Sequence, residues 1–244
     1  MGKGRRRAGR CWSLADPMAQ LDVQNLGRIA YRDGLAWQYE TADRVRSGDG
    51  PDVLGLLEHE PVYTMGARGG RANLLTQESE LGDQGIEVVD VDRGGDITYH
   101  GPGQLVAYPI LLLERIGLGP SDYVHRLEDV IVDVLAARGI PAAADPARPG
   151  VWVDGAKIAA VGVRCQRGVT RHGIAINVNL DLRPFEAIVA CGLPGAPVTS
   201  ISRLQGGSVA LGAVAEEFAG AFARGFGFEL NRRPPPQTQG SGQG

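Results

Sequence analysis

In GVWVDGAKIAAVGVRC, residues 150 to 165, two strand-like runs meet at Asp154-Gly155, and that pair limits the fold more than any other feature of the chain. Asp-Gly favours the positive φ angles of a tight hairpin turn, in which the two runs fold back on each other. HGIAINVNLDL, from His172, is strand-like again, so the middle of the chain is rich in β-structure. Helical patterns flank it. Ser121 is placed to cap a helix over Asp122 to Arg138, with Val124, Leu127, Ile131, Val134 and Leu135 on one face and Gly139 as its stop. Ala210 to Arg224 reads as a last amphipathic helix. Strands and helices do not alternate strictly, which predicts an α+β fold, a single domain with a mixed β-sheet flanked by helices.

Towards the N-terminus, Tyr31 to Arg46 carries apolar residues at 31, 35, 39, 42 and 45, the spacing of one helix face, and SGDGP ends it. Val53 to Leu57 reads as a short buried strand, IEVVDVD at 86–92 as another, and Leu105 to Leu113, the longest apolar run, as a third. Between them, Glu58 to Leu75 is rich in turn residues, and RGGDITYHGPGQ, Arg93 to Gln104, is too dense in glycine for regular structure. Residues 1–20 read as a disordered basic tail, with Met18 an alternative start, and residues 21–230 as the folded domain. Residues 231–244, with PPPQTQGSGQG, form a low-complexity tail that cannot bury enough apolar surface to order itself.

The chain has 244 residues, 43% of them hydrophobic, enough for one sizeable core. No apolar run approaches the roughly 18 to 20 residues of a membrane span, and no apolar segment follows the basic start as an export signal requires. No membrane association is expected. Cys11, Cys165 and Cys191 are an odd count in a chain without secretory features, which points to reduced thiols and a cytoplasmic location. The formal charge of −3 hides an asymmetry: residues 1–10 carry five basic side chains and no acid, leaving 20 basic against 28 acidic in the rest. Such a body lacks the basic face that nucleic acid requires. The four histidines are not at metal-ligand spacing, and neither HExxH, CxxC, a P-loop nor a strand-turn-helix GxGxxG occurs, so no metal, ATP or dinucleotide cofactor is read.

Lys3 and Lys157 are the only lysines among 25 basic residues. Arginine serves wherever a plain positive charge suffices, so Lys157 is a candidate for a task arginine cannot do, since a partly buried lysine can lose and regain its proton. The same residue also reads as a strand-edge lysine that discourages pairing. Cys191, in IVACGLPG, follows a short helical-looking segment and precedes a glycine turn, where a thiol is accessible; Cys165 ends an apolar strand and reads as an inert buried cysteine. A cation within about 4 to 6 Å of a thiol lowers its pKa by about 1 to 3 units, and Lys157 is a candidate for that cation. Lys157, Arg164, Arg167 and Arg171 form a basic strip without acids between Gly155 and Leu180, suited to an acidic partner or equally to a solvated loop. His125 falls on the exposed side of its helix, whereas His100 and His172, each followed by glycine, stand at loop-like positions where binding groups concentrate.

RGGDITYHGPGQLVAYP, taken with LLEHEPVYTMG, GVWVDGAKIAAVGVR, HGIAINVNLDL, CGL and VTSIS, resembles the lipoyl(octanoyl) transferase family, the bacterial octanoyltransferases of lipoate biosynthesis, over about residues 21 to 226. The resemblance implies a domain like the catalytic domains of lipoate and biotin protein ligases. It implies transfer of an octanoyl group from acyl carrier protein to a specific lysine of lipoyl-domain proteins, namely the lipoyl domains of 2-oxoacid dehydrogenase E2 subunits and the glycine cleavage H protein, with no cofactor. Carried over by position, Cys191 is the acyl-thioester cysteine and Lys157 the lysine that lowers its pKa. The substrate contacts fall on Arg93, Gly94, Gly95, Asp96, Ile97, Thr98, Tyr99 and His100, on Ala160, Val161 and Gly162, and on Gly173, Ile174 and Ala175. The chain departs from the family in having Ala190 before the cysteine, where proline is common, and in its arginine-rich start.

On this reading the amides of Gly94-Gly95 and of Gly101-Pro102-Gly103 approach the acyl group, and the small side chains of Ala159, Ala160 and Gly162 leave room for it. Roughly half a dozen methylenes at about 0.8 kcal/mol each select a medium chain but reject one methylene more or fewer only weakly. Three other readings remain: an octanoyl amidotransferase acting between lipoyl proteins, an ATP-dependent lipoate or biotin ligase, and a non-catalytic binding protein in which Cys191 only packs.

Overall fold

Asp154 and Gly155 take φ angles of 47° and 79° and join β8 (Arg148–Val153) to β9 (Ala156–Gln166) as an antiparallel hairpin. The computed structural model describes residues 19–146, 148–189 and 195–232. β10 (Val169–Asn177) returns along β9, with His172 opposite Val163, Gly173 opposite Gly162 and Ala175 opposite Ala160.

These strands belong to an eight-stranded sheet that also contains β1 (Ala19–Ile29), β2 (Asp52–His59), β6 (Gln104–Ile110), β7 (Ala143–Asp145) and β11 (Phe228–Arg232). Its order is β11-β1-β2-β6-β10-β9-β8-β7. β11, β1 and β2 are parallel and all the other pairs antiparallel, so the sheet is mixed as expected. Period-two alternation along β6 divides the two faces. Leu105 and Ala107 join Leu127 and Ile131 of α3 (Pro120–Ala137) and Phe218 and Phe222 of α5 (Leu211–Phe226) in the main core. Val106, Tyr108 and Ile110 face the other way, onto Ala42 and Val45 of α1 (Tyr31–Ser47). A second sheet, ordered β4 (Glu87–Asp90), β3 (Val62–Met65) and β5 (Ile97–His100), stands beside that second face. No helix among the described residues is long and apolar enough to cross a membrane.

Several local expectations are corrected. Ile97–His100 is a strand despite its glycine-rich surroundings, and so is Val62–Met65; each is held by the other's backbone in antiparallel register. β1 and β11 had no sequence signal and pair through contacts some 200 residues apart in the chain, Ala19 with Phe228 among them. Strand pairing thus runs from Ala19 to Arg232, slightly outside the 21–230 span. α3 starts at Pro120 with Gly119 as N-cap, because proline's fixed φ suits the first helical position; Ser121 caps nothing and is exposed. On α1, Gln38 and Thr41 are buried where Tyr39 was expected. Tyr39 instead lies outside, with the Arg171 guanidinium 4.2 Å from its ring centroid.

Candidate functional site

The loop before β5 and the α1-side face of β6, β9 and β10 enclose a cavity of about 410 Å³. Of the residues expected to contact substrate, Arg93, Gly94, Gly95, Asp96, Thr98, His100, Ala160, Val161, Gly162, Gly173, Ile174 and Ala175 line it, together with Lys157. Ile97 and Tyr99 do not. Alternation along β5 turns them into a separate apolar cluster with Tyr63, Leu81, Leu180 and Ile188. Ala159 likewise belongs to the main core and does not line this cavity. Of the two glycine turns, only Gly94-Gly95 reaches the cavity; the amide of Gly103 is spent on the Glu58 carboxylate, 2.6 Å away.

Close packing fixes the Arg93 loop. The Arg93 guanidinium is buried and donates to the Thr64 hydroxyl and carbonyl oxygens at 2.8 and 2.6 Å and to Gly94 O at 3.1 Å. A Cβ on Gly66 would stand 2.4 Å from Gly95 O, and one on Gly162 3.0 Å from Gly94 O, so these two glycines let the loop lie against its supports.

His100 is in a strand, not a loop. Its Nδ1 faces Gln104 Oε1 at 2.7 Å, while Gln104 Nε2 donates to Tyr99 O and Asn177 Oδ1. Gln104 Oε1 can only accept, so Nδ1 carries the proton. Burial, helped by the nearby His59 and Arg93, pushes the His100 pKa down to about 3. His59 lies behind it, its Nδ1 3.1 Å from Ile29 O and its Nε2 2.7 Å from the Tyr108 hydroxyl, and burial lowers its pKa to about 4. Burial also pushes Tyr31 up to about 12. At neutral pH these imidazoles and the Tyr31 phenol are therefore uncharged, and the Arg93 guanidinium supplies the charge beside them.

His172 is also within a strand, held at φ 57°, a backbone conformation uncommon outside glycine. Asp92 draws Arg171 out of what the sequence suggested as a basic strip. Its carboxylate lies 2.6 Å from Arg171, 2.9 Å from His172 and 3.9 Å from Arg164. The His172 hydrogen bond first, and Arg171 after it, hold that carboxylate well below the usual range. Arg171 is buried in this group, so no continuous exposed strip exists.

Lys157 is not at a strand edge. It is 7% exposed, pairs with Trp152 of β8, and on its other side exchanges backbone hydrogen bonds with the chain at 197–199: its N donates to Pro197 O at 2.8 Å and its O accepts from Thr199 N at 2.9 Å. Its Nζ stands 5.4 Å from the Trp152 ring centroid, within cation–π range. Gly150, at φ 107°, makes room for it: a Cβ there would lie 2.7 Å from Lys157 Cε and 3.2 Å from Nζ. Glu128 fixes this bulge by accepting the Gly150 N–H at 2.9 Å. Cys165 is half-buried at the end of β9 and packs against the main core. Cys191 and Cys11 lie outside the described residues.

Sequence reasoning missed Tyr31, Arg68, Val106, Tyr108, Pro146 and Pro149, all of which line the cavity. The available signal was the tyrosine hydroxyl at 108 within an otherwise apolar run, since a buried hydroxyl needs a partner.

Residues 30–223 match the family described as the lipoyl protein ligase A/B catalytic domain. The chain is 43% identical over 213 residues to the octanoyltransferase of Geobacter metallireducens, covering 87% of this chain and 95% of that protein. To the octanoyltransferase of Cellvibrio japonicus it is 46% identical over 210 residues, covering 86% and 94%. The chain belongs to the octanoyltransferase family. Its fold is shared more widely among ligases. A bipartite lipoate protein ligase from Thermoplasma acidophilum, solved in a study with its E2 lipoyl domain, superposes with a TM-score of 0.64 at 14% identity, over 89% of this chain and 88% of that one. Biotin protein ligase from Aquifex aeolicus, in complex with biotin and ATP, gives 0.54 at 13% identity, over 84% and 70%. At these identities the likeness shows the fold alone, and it bears out the single α+β domain with a mixed sheet flanked by helices.

Proposed function

We propose that this octanoyltransferase moves an octanoyl group from acyl carrier protein to a lysine of a lipoyl domain, through a thioester on Cys191 with Lys157 as proton carrier. The observation that carries this reading is the cavity that brings the Arg93–Gly95 loop, Thr98, His100 and the small residues of β9 and β10 together around the buried Lys157.

The flanks of Cys191 support its place in the reaction. Before it, Val189 N donates to Asn73 O, and the Asn73 amide donates to Asp96 of the cavity wall. After it, Pro197 and Thr199 are bonded to the backbone of Lys157. In the first half-reaction the Cys191 thiolate attacks the carrier thioester, amide donors stabilise the tetrahedral oxyanion, and the carrier thiol leaves with a proton. In the second, the acceptor lysine attacks as the neutral amine and the Cys191 thiolate is released. Lys157 takes up and returns the protons of both halves, a cycle that arginine, always protonated, cannot run. The walls around Ala160, Gly162, Gly173 and Ala175 leave space for the alkyl chain. The partners on this reading are acyl carrier protein and the lipoyl domains of E2 subunits and H protein, in the cytoplasm.

The test is transfer from octanoyl-carrier protein to an isolated lipoyl domain without ATP. The carrier thioester is already activated, so transfer is expected in full; an absolute requirement for ATP overturns the reading in favour of a ligase.

A further inference from the structure

Beside Lys157 two buried side-chain amides form a hydrogen-bonded run whose polarity is fixed at both ends. Gln104 opens β6 and Asn177 closes β10, directly opposite each other in antiparallel register, so their side chains leave the sheet on one face. Gln104 Nε2 donates to Tyr99 O at 3.2 Å and to Asn177 Oδ1 at 3.0 Å, and Asn177 Nδ2 donates to Thr199 O at 3.0 Å. Backbone carbonyls only accept, so Tyr99 O and Thr199 O settle the orientation of both amides. Thr199 N in turn donates to Lys157 O at 2.9 Å. The run therefore ends on the backbone of Lys157, and Gln104, Asn177 and Thr199 are at most 5% exposed.

Lys157, Gln104, Asn177 and Thr98 also surround a cavity of about 20 Å³, with room for no more than a single water. Neither amide lines the large cavity. Any effect of the two on the reaction therefore passes through Lys157 and through Thr199, eight residues after Cys191.

We propose that Asn177 is a positioning residue for octanoyl transfer: it locks Thr199, and through it the backbone of Lys157, so that the lysine ammonium is held at its distance from the Cys191 thiol. The proposal rests on the reading of Cys191 and Lys157 given above. Without the amide, Thr199 O and Gln104 Nε2 are stranded in the interior, and the chain shifts to satisfy them. The effect of a cation on a thiol falls with distance, so a displaced Lys157 leaves the thiol closer to its free pKa of about 8.5. A side chain that only adds stability has no such effect. The other charged groups around Lys157 are unchanged in the test: Arg68, Arg93 and Asp96, which line the large cavity with it, and Glu128, which holds Gly150.

The experiment follows alkylation of Cys191 against pH, read by peptide mass, in the wild type, Asn177→Ala, Asn177→Leu and Val134→Ala. Asn177→Leu keeps the volume and neither hydrogen bond; Val134→Ala is a truncation in the main core, outside this network. In both Asn177 variants the alkylation midpoint is expected to rise by about 1 pH unit or more. Their kcat for transfer should fall about tenfold to a hundredfold, with KM for the carrier thioester near that of the wild type. Val134→Ala should lower Tm without moving the midpoint. Either Asn177 variant decides alone: an unchanged midpoint in the folded protein overturns the proposal, however far Tm or kcat falls. A wild-type midpoint near that of an ordinary thiol, about 8.5, overturns the pairing of Lys157 with Cys191 beneath it instead.

Discussion

Replacing Gly150 with alanine tests how closely Lys157 is held. The added Cβ would stand 2.5 Å from Ala159 O, 2.7 Å from Lys157 Cε and 3.2 Å from Nζ. Ala159 O belongs to the β9 backbone and yields little, so the backbone at position 150 and the lysine side chain must both shift. The φ of 107° at Gly150 adds backbone strain of about 1–3 kcal/mol for any other residue, or several degrees in Tm at ~2–4 °C per kcal/mol. Gly155 supplies the control, since it has a φ of 79° and nothing within 4 Å of a Cβ: Gly155→Ala carries the strain without touching the lysine. Thermal unfolding and octanoyl transfer are measured on both variants. Both should lose several degrees, whereas transfer should fall by about 10²-fold in Gly150→Ala, the scale of an ångström-sized misplacement, and stay near wild type in Gly155→Ala. Equal transfer by the two folded variants refutes the argument.

Two further outcomes follow from the same geometry. Lys157→Arg keeps the positive charge but cannot cycle a proton, so the thiol should remain reactive towards alkylation while transfer is lost; undiminished transfer removes the proton-carrying role. His59 and His100 have pKa values lowered to about 4 and about 3 from 6.5, so the unfolded chain binds their protons first. Their contribution is complete above about pH 6.5 and is lost as the pH falls towards about 4, by roughly 3 kcal/mol for His59 alone. Denaturant titrations across that range should show stability falling with pH, and a flat profile contradicts the buried neutral imidazoles.

How much was legible in the sequence depended on whether the signal was local. The Asp154-Gly155 turn, the apolar run of β6 and the periodicity of α3 and α5 are properties of neighbouring residues, and each formed near its expected place. β3 and β5 are four residues each, set among glycine and turn residues, and exist because each completes the other's backbone hydrogen bonds. Nothing within either segment announces that. Lys157 shows the same limit for the site. Its rarity marked it, but whether it sat at an edge or inside depended on the chain at 197–199 pairing along β9. The basic strip failed because Asp92, some eighty residues earlier, reaches Arg171 and His172. The polar end of the cavity was invisible for a related reason: Tyr31, His59, Tyr108 and His172 come from four elements that only the folded sheet brings together.

The central claim is that the acyl group passes through Cys191. Intact-mass measurement after incubation with octanoyl-carrier protein, without an acceptor, tests it directly. A single octanoyl adduct is expected on the wild type and on Cys165→Ala, and none on Cys191→Ala; an adduct that persists without Cys191 contradicts the mechanism.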